Sequence, residues 1–276
     1  MAAATTSTTK PTRRNGSFPP EFESFHKFFE CWLAEQNQHL HDLISASSPA
    51  RDANDQALRP LIDRVFRHYD HYYKAKSRCT KQNVLPMFSP AWRSSLEDAF
   101  LWIGGWHPSM AFHLLYSKSG FQLEAHLAEL LRGLTTGDLA DLCPSQLALI
   151  DDLQRSTIRE EKAITEKFAK HQEMVANVSM VELSHAVTEM NRTAGRQAVA
   201  ENETAMEEEV ESTLAAKEKG LEEILQMADD LRLITLKEIL NILCPMQSVH
   251  FLIAAAELHL RIHEWGKKKE EAQAQT

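Results

Sequence analysis

At 276 residues the chain is long enough for one or two domains, and a 43% hydrophobic, 25% charged composition supplies a sizeable core and excludes wholesale disorder. A formal charge of −9 excludes a general affinity for nucleic acid: neutralising phosphates needs a basic stripe, and the only basic clusters are Arg13-Arg14 and Lys267-Lys268-Lys269. The four cysteines, Cys31, Cys79, Cys143 and Cys244, form no Cys-x-x-Cys pair, which excludes zinc-ribbon and thioredoxin-like chemistry and reads as reduced, buried thiols. No signal peptide and no run of ~20 apolar residues is present, so the chain reads as intracellular and soluble.

Residues 1–17 are small, polar and Pro-punctuated, the composition of a disordered leader. Phe22, Phe25, Phe29, Trp32, Leu33, Leu40 and Ile44 then recur at helical spacing, predicting an amphipathic first helix closed by Ser45 to Pro49. A second helix is expected over 55–76, with Leu58, Ile62, Val65, Phe66, Tyr69 and Tyr73 on one face and Pro60 tolerated near its start. A shorter one is expected over 81–88.

The run Pro90 to Gly105 reads as a complete short helix. Ser94 and Glu97 form a Ser-x-x-Glu capping box, Leu96, Phe100 and Ile103 share a face, and Gly104-Gly105 supplies a left-handed stop. Further helices are expected over 107–116 and 121–131, then a loop marked by Gly133 and Gly137, then a long helix from Pro144 to Val175. A short helix over 181–190 and a loop at Gly195 follow. A second long helix, 203–243, carries Met206, Val210, Leu214, Leu221, Ile224, Leu225, Ala228, Leu231 and Leu236; its acidic Glu207-Glu208-Glu209 start suits the positive end of a helix dipole rather than a metal. Pro245 stops it, and a last helix covers 246–269. No segment alternates with period two, so the fold class is all-α, about eight helices including two long ones, with a domain at 18–270 and a flexible tail at 271–276.

Catalytic signatures are missing. There is no phosphate-cradling glycine loop and no nucleophile elbow, and the chain is expected not to be an enzyme, with neither catalytic residues nor a resident metal. One pair stands out. His259 and His263 lie one helical turn apart and point the same way, so both could reach a ligand from one side; as histidines at the edge of a helix interface they would carry no ligand at all. Leu260 occupies the place where a zinc peptidase needs a glutamate, which argues against peptidase activity. His68 and His71 sit among aromatics at helical spacing and read as packing residues, and His107 before Pro108 reads as a cap.

Several motifs agree in order with one family. Phe29-Glu30-Cys31-Trp32-Leu33-Ala34-Glu35-Gln36, Tyr69 to Lys76, the Trp92 to Gly105 run, Ala228 to Leu236 with Ile239-Leu240, and Leu258 to Gly266 together resemble the plant DOG domain of seed-dormancy regulators, which also forms the C-terminal part of TGA-type bZIP transcription factors. Only 174–202 is unmatched. The resemblance implies a role in seed dormancy, seed maturation, germination and abscisic acid signalling, exerted in the nucleus and also the cytoplasm by binding type 2C protein phosphatases. It maps that contact onto Phe29 and Trp32, with Gln36 one turn on; read from the residues alone, an intramolecular core is the better account of Trp32. The stretch 27–31 departs from the regulator's more acidic pattern, which bears on the choice of phosphatase. The resemblance also associates His259 and His263 with heme, although two histidines on one helix cannot take opposite faces of a porphyrin, so one would ligate while the other supports it, or a second ligand would come from elsewhere. With 1–17 alone ahead of the domain, bZIP-style DNA contact is not expected. The alternative role is a transcriptional cofactor brought to DNA by bZIP partners, and homo-oligomers are a further expected assembly.

Overall fold

In the computed structural model, residues 20–47, 55–132, 136–193 and 200–275 are described. The leader expected at 1–17 and the loop at Gly195 lie outside them. Helix α1 (Pro20–Ala46) carries the aromatic spine that its periodicity predicted, and α2 (Asp55–Thr80) packs against it with Leu58, Leu61, Ile62 and Val65. Helix α10 (Pro245–Ala274) completes this layer through Val249, Leu252, Ile253 and Ala256. The long helices α7 (Pro144–Glu173) and α9 (Ala200–Ile242) run side by side, and α8 (Val178–Thr193) packs on α9. Helix α5 (Met110–Ala125) joins α7, α9 and α10 around Phe112, Leu115, Leu139, Ile150, Ile239 and Phe251. Three single-turn helices, α3 (Leu85–Phe88), α4 (Ser95–Asp98) and α6 (Leu127–Leu131), fill the connections. Among the described residues the only β-type pairing is one isolated bridge, Trp102 with Gly105.

Helices α1, α2, α7, α9 and α10 thus follow the sequence expectation, and α10 continues past 270 to Ala274. Three local expectations are corrected. The helix expected to reach Ile103 ends at Asp98, leaving Phe100 56% exposed and Ile103 in a left-handed conformation at φ 44°. The helices expected over 107–116 and 121–131 are divided differently: α5 runs unbroken from Met110 to Ala125, because Gly120 weakens a helix by only ~1 kcal/mol and continuing it buries Gln122, whose amide contacts His250 and accepts the Leu139 N–H, and the remainder forms the separate turn α6. The cysteines are not buried: Cys31, Cys143 and Cys244 are exposed and Cys79 half-buried.

What sits between α4 and α5 is a tight two-residue turn. Trp102 and Gly105 exchange backbone hydrogen bonds of 2.6 and 3.2 Å, with Ile103 and Gly104 both at positive φ, as a hairpin turn of this length requires. Its carbonyls face two buried cations. Lys76 Nζ donates to the Gly104 carbonyl at 2.8 Å and to Asp229 Oδ1 at 3.0 Å. Arg232 donates from Nε to the Trp106 carbonyl at 2.6 Å, from Nη2 to the carbonyls of Trp102 and Ile103, and from Nη1 to Asp229 Oδ1 at 2.5 Å. Burial draws the Lys76 ammonium down to about 8, against the pull of Asp229, so it stays charged at neutral pH. Four carbonyl dipoles and one carboxylate therefore answer two cations in a site where an unpaired charge would be costly.

Gly104 is required twice over. Its φ is +66°, and a Cβ there would stand 2.5 Å from the Met87 carbonyl oxygen and 2.8 Å from Leu225. Gly137 has a similar φ of +70° but open space around it. Gly104→Ala is therefore expected to destabilise the protein by about 3 kcal/mol or more and Gly137→Ala by about 1 kcal/mol, read as shifts in urea midpoint. Equal effects of the two substitutions would show that Met87 and Leu225 do not press on the turn.

Candidate functional site

The capping box of α4 meets α10. Glu97, fully buried, accepts at Oε2 from the Ser94 N–H and the Ser94 hydroxyl, each at 2.9 Å, and pairs with His263 Nδ1 at 2.8 Å. Burial alone would push the Glu97 carboxyl up, but the His263 and Ser94 bonds outweigh it and hold it down near about 2. A carboxylate only accepts, so the His263 proton sits on Nδ1, and its buried Nε2 has no partner. Gly266 permits this contact: a Cβ there would lie 2.0 Å from Ser94 Oγ. Two separate motifs of the sequence, Ser94-x-x-Glu97 and His263-x-x-Gly266, are thereby one interface.

Beside it, Trp32 is sandwiched in an aromatic layer. Its ring stacks on His68 at 4.6 Å with an interplanar angle of 5°, its Nε1 donates to the His68 carbonyl at 3.1 Å, and His259 stands 5.5 Å away on its other flank. Phe29 packs edge-on to His263 at 5.7 Å, with the Arg93 guanidinium 6.0 Å from the Phe29 centroid. Gln36 donates to the Tyr69 hydroxyl at 2.8 Å. Phe29, Trp32 and Gln36, mapped from the sequence to phosphatase contact, are 0%, 3% and 0% exposed, and these contacts are all intramolecular. The residues of α1 that face solvent beside them are Lys27, Glu30, Cys31, Ala34, Glu35, Asn37 and Gln38.

His259 borders an apolar pocket of about 170 Å³ between α2, α5, α9 and α10, with Trp106, Met110, Leu114, Leu258 and Ile262 among its walls. Burial, reinforced by the Arg93 charge, lowers the His259 ring to about 3, so it is a neutral imidazole with a buried, unpartnered Nε2. His263 borders no part of this pocket. Of the two histidines only His259 borders the pocket, whose volume is close to that of a cavity holding one benzene ring, so a larger planar group would require the pocket to open and the buried Nε2 to be uncovered. Arg232 also lines the pocket, but its donors are occupied by Asp229 and the turn carbonyls. Among the described residues no group of three or more His, Cys, Asp or Glu side chains is arranged to hold a metal, and no helix is long and apolar enough to cross a membrane. Glu207, Glu208 and Glu209 are exposed to solvent.

A family model described as DOG1, seed dormancy control, matches residues 39–117. Protein DOG1-like 3 of Arabidopsis thaliana is 32% identical over 247 residues, covering 87% of this chain and 83% of the relative. The chain belongs to the DOG1-like family. Protein DOG1-like 4 of the same plant is 30% identical over 247 residues, covering 90% of this DOG1-like chain and 94% of that one. Similarity extends to the TGACG-sequence-specific DNA-binding protein TGA-2.1 of Nicotiana tabacum, 28% identical over 239 residues, which are 87% of this chain but 45% of the tobacco protein. By name these relatives are two DOG1-like proteins and a sequence-specific DNA-binding protein.

His68, a packing residue by its spacing in this DOG1-like chain, and His39 and Arg93, which carry no sequence signal, are all part of the layer. His68 was visible as an i,i+3 partner of His71, but only the fold shows that His68 alone turns inward: it is 5% exposed, while His71 is exposed. Burial, with the neighbouring His39 and His71 opposing a charge, lowers His68 to about 4. The groups around His259 are Arg93, Glu97, His263 and His68; Glu97 alone favours protonation there. The unfolded chain takes up protons at these histidines near pH 6.5, and the folded chain not until about 4 for His68 and about 3 for His259. Their stabilisation is therefore complete above pH 6.5 and lost as pH falls toward those values. Between pH 7 and 5 stability is expected to drop by about 2 kcal/mol for His68 alone, a share removed in His68→Gln. A stability unchanged between pH 7 and 5 in urea titrations would show that the folded layer accepts protons.

Proposed function

We propose that this chain is a non-enzymatic regulator of seed dormancy and germination that acts in abscisic acid signalling by docking onto type 2C protein phosphatases through the outer face of α1. The observation that carries the reading is the construction of α1. Its inner face is locked by Trp32, Phe29 and Gln36, so its outer row from Lys27 to Gln38 is presented on a rigid helix at little entropic cost to a partner. The buried triplet then acts by fixing the helix, and the exposed row makes the contact. Membership in a family described by seed dormancy control supports the biological setting, and likeness to transcription factors supports a nuclear one.

Heme is the ligand we assign to the pocket bordered by His259. When bound, heme supplies an iron centre that takes an imidazole nitrogen. The chain would contribute the neutral His259 ring, an apolar wall from Met110, Leu114 and Ile262, and a Glu97-fixed His263 that holds α10 in place. A second reading is favoured by one observation, the likeness to TGA-type factors over 87% of this chain: a cofactor recruited to DNA by bZIP partners.

Calorimetry against a panel of type 2C phosphatases, with and without hemin, separates these readings. Glu30→Arg with Asn37→Arg is expected to weaken phosphatase binding at least about tenfold with an unchanged melting temperature, because both side chains are exposed. Trp32→Ala is expected to weaken it through a loss of about 3–5 kcal/mol in fold stability. Binding to no phosphatase, with capture of bZIP factors instead, would overturn the docking reading in favour of the cofactor one.

A further inference from the structure

At the outer edge of the α1–α2 seam, away from the pocket of His259, three buried polar atoms have no partner: Gln36 Oε1, His39 Nδ1 and His68 Nε2. Gln36 and His39 are three residues apart and share a face of α1, His68 meets His39 from α2, and Gln36 meets Tyr69, the chain neighbour of His68. The two imidazoles lie 4.8 Å apart, centroid to centroid, at 72°. Two imidazoles bound to a single tetrahedral ion, with nitrogen–metal bonds of about 2.0 Å, place their centroids about 5 Å apart.

The surroundings prepare each donor. Glu35 Oε2 stands 3.4 Å from His68 Nδ1, so the carboxylate draws the ring proton to Nδ1 and leaves the Nε2 lone pair free, the arrangement that orients a metal-binding imidazole. Gln36 gives its Nε2 to the Tyr69 hydroxyl, which leaves its carbonyl oxygen, on a fully buried side chain, as the unused end. Burial keeps both rings neutral, the form a metal takes, and His39 is only partly buried, which provides an approach from solvent.

We propose that His39, His68 and Gln36 form a binding site for a divalent zinc-class ion, with two imidazole nitrogens and an amide oxygen as ligands and water in the fourth position. Two nitrogens and a neutral oxygen make this a moderate site, with an affinity on the order of micromolar, and nitrogen donors favour zinc or copper over magnesium or calcium. The site uses neither His259 nor its pocket, but it shares Glu35 with the exposed row of α1 and Gln36 with the buried face behind that row.

The test is a titration of the full chain, in chelator-treated buffer, with zinc chloride by calorimetry and with cobalt chloride by visible absorption. The expected result is one ion per chain, an intense tetrahedral cobalt band, and affinity reduced about tenfold or more in both His39→Ala and His68→Gln, but unchanged in His259→Ala. Because His39 is partly exposed, His39→Ala tests the site even if His68→Gln fails to fold. Absence of a tetrahedral cobalt band, or zinc binding unaltered in His39→Ala, would overturn the assignment and leave the three atoms to an ordered water.

Discussion

A single carboxylate, Asp229 on α9, holds two buried cations from different parts of the chain, and the rest of the architecture leans on that arrangement. Lys76 comes from the end of α2 and Arg232 lies one turn along α9; between them they fasten four consecutive-region carbonyls, those of Trp102, Ile103, Gly104 and Trp106. Two positive charges against one negative would be untenable in an apolar interior, and the carbonyl dipoles supply the balance. Removing Asp229 would leave both cations facing each other without a counter-charge. The turn is therefore not a passive connection between α4 and α5 but the third body of a long-range ion cluster.

The position of this turn decides what lies on either side of it. Upstream it sets α4, whose Glu97 must reach His263; downstream it sets Trp106, which borders the pocket beside His259. The two histidines of α10 consequently have different fates despite their equivalent sequence spacing. His263 is tied to a carboxylate and packs α10 onto the capping box, whereas His259 borders the apolar pocket. A helical i,i+4 pair guarantees a shared direction but not a shared environment, and this is where the simple expectation of one ligand held by two histidines parts from the geometry.

The long periodic segments were legible in the sequence because hydrophobic spacing is a local signal: α1, α2, α7, α9 and α10 all follow it. The capping box at Ser94 was legible for the same reason, as its donors lie three residues from its acceptors. The turn after it was misread as a helix end, since two glycines after an apolar run satisfy either rule, and the deciding partners, Lys76 and Asp229, are 153 residues apart from one another in the chain. The candidate site shows the same division. Phe29, Trp32, Gln36, His259 and His263 stand out in the sequence by residue type and spacing, but which of them face solvent, core or pocket depends on three helices meeting, and periodicity within one helix carries no information about that. His39 and Arg93 gave no sequence signal, being ordinary polar residues whose burial is created by their neighbours.

Amide hydrogen exchange on Asp229→Ala tests the dependence of the site on this cluster most directly. The account predicts that protection is lost together in 92–106 and in the 258–266 run of α10, while the Phe112–Leu115–Ile150 core between α5 and α7 keeps its protection. Loss confined to the α9 residues around position 229, with 92–106 and 258–266 still protected, would contradict it.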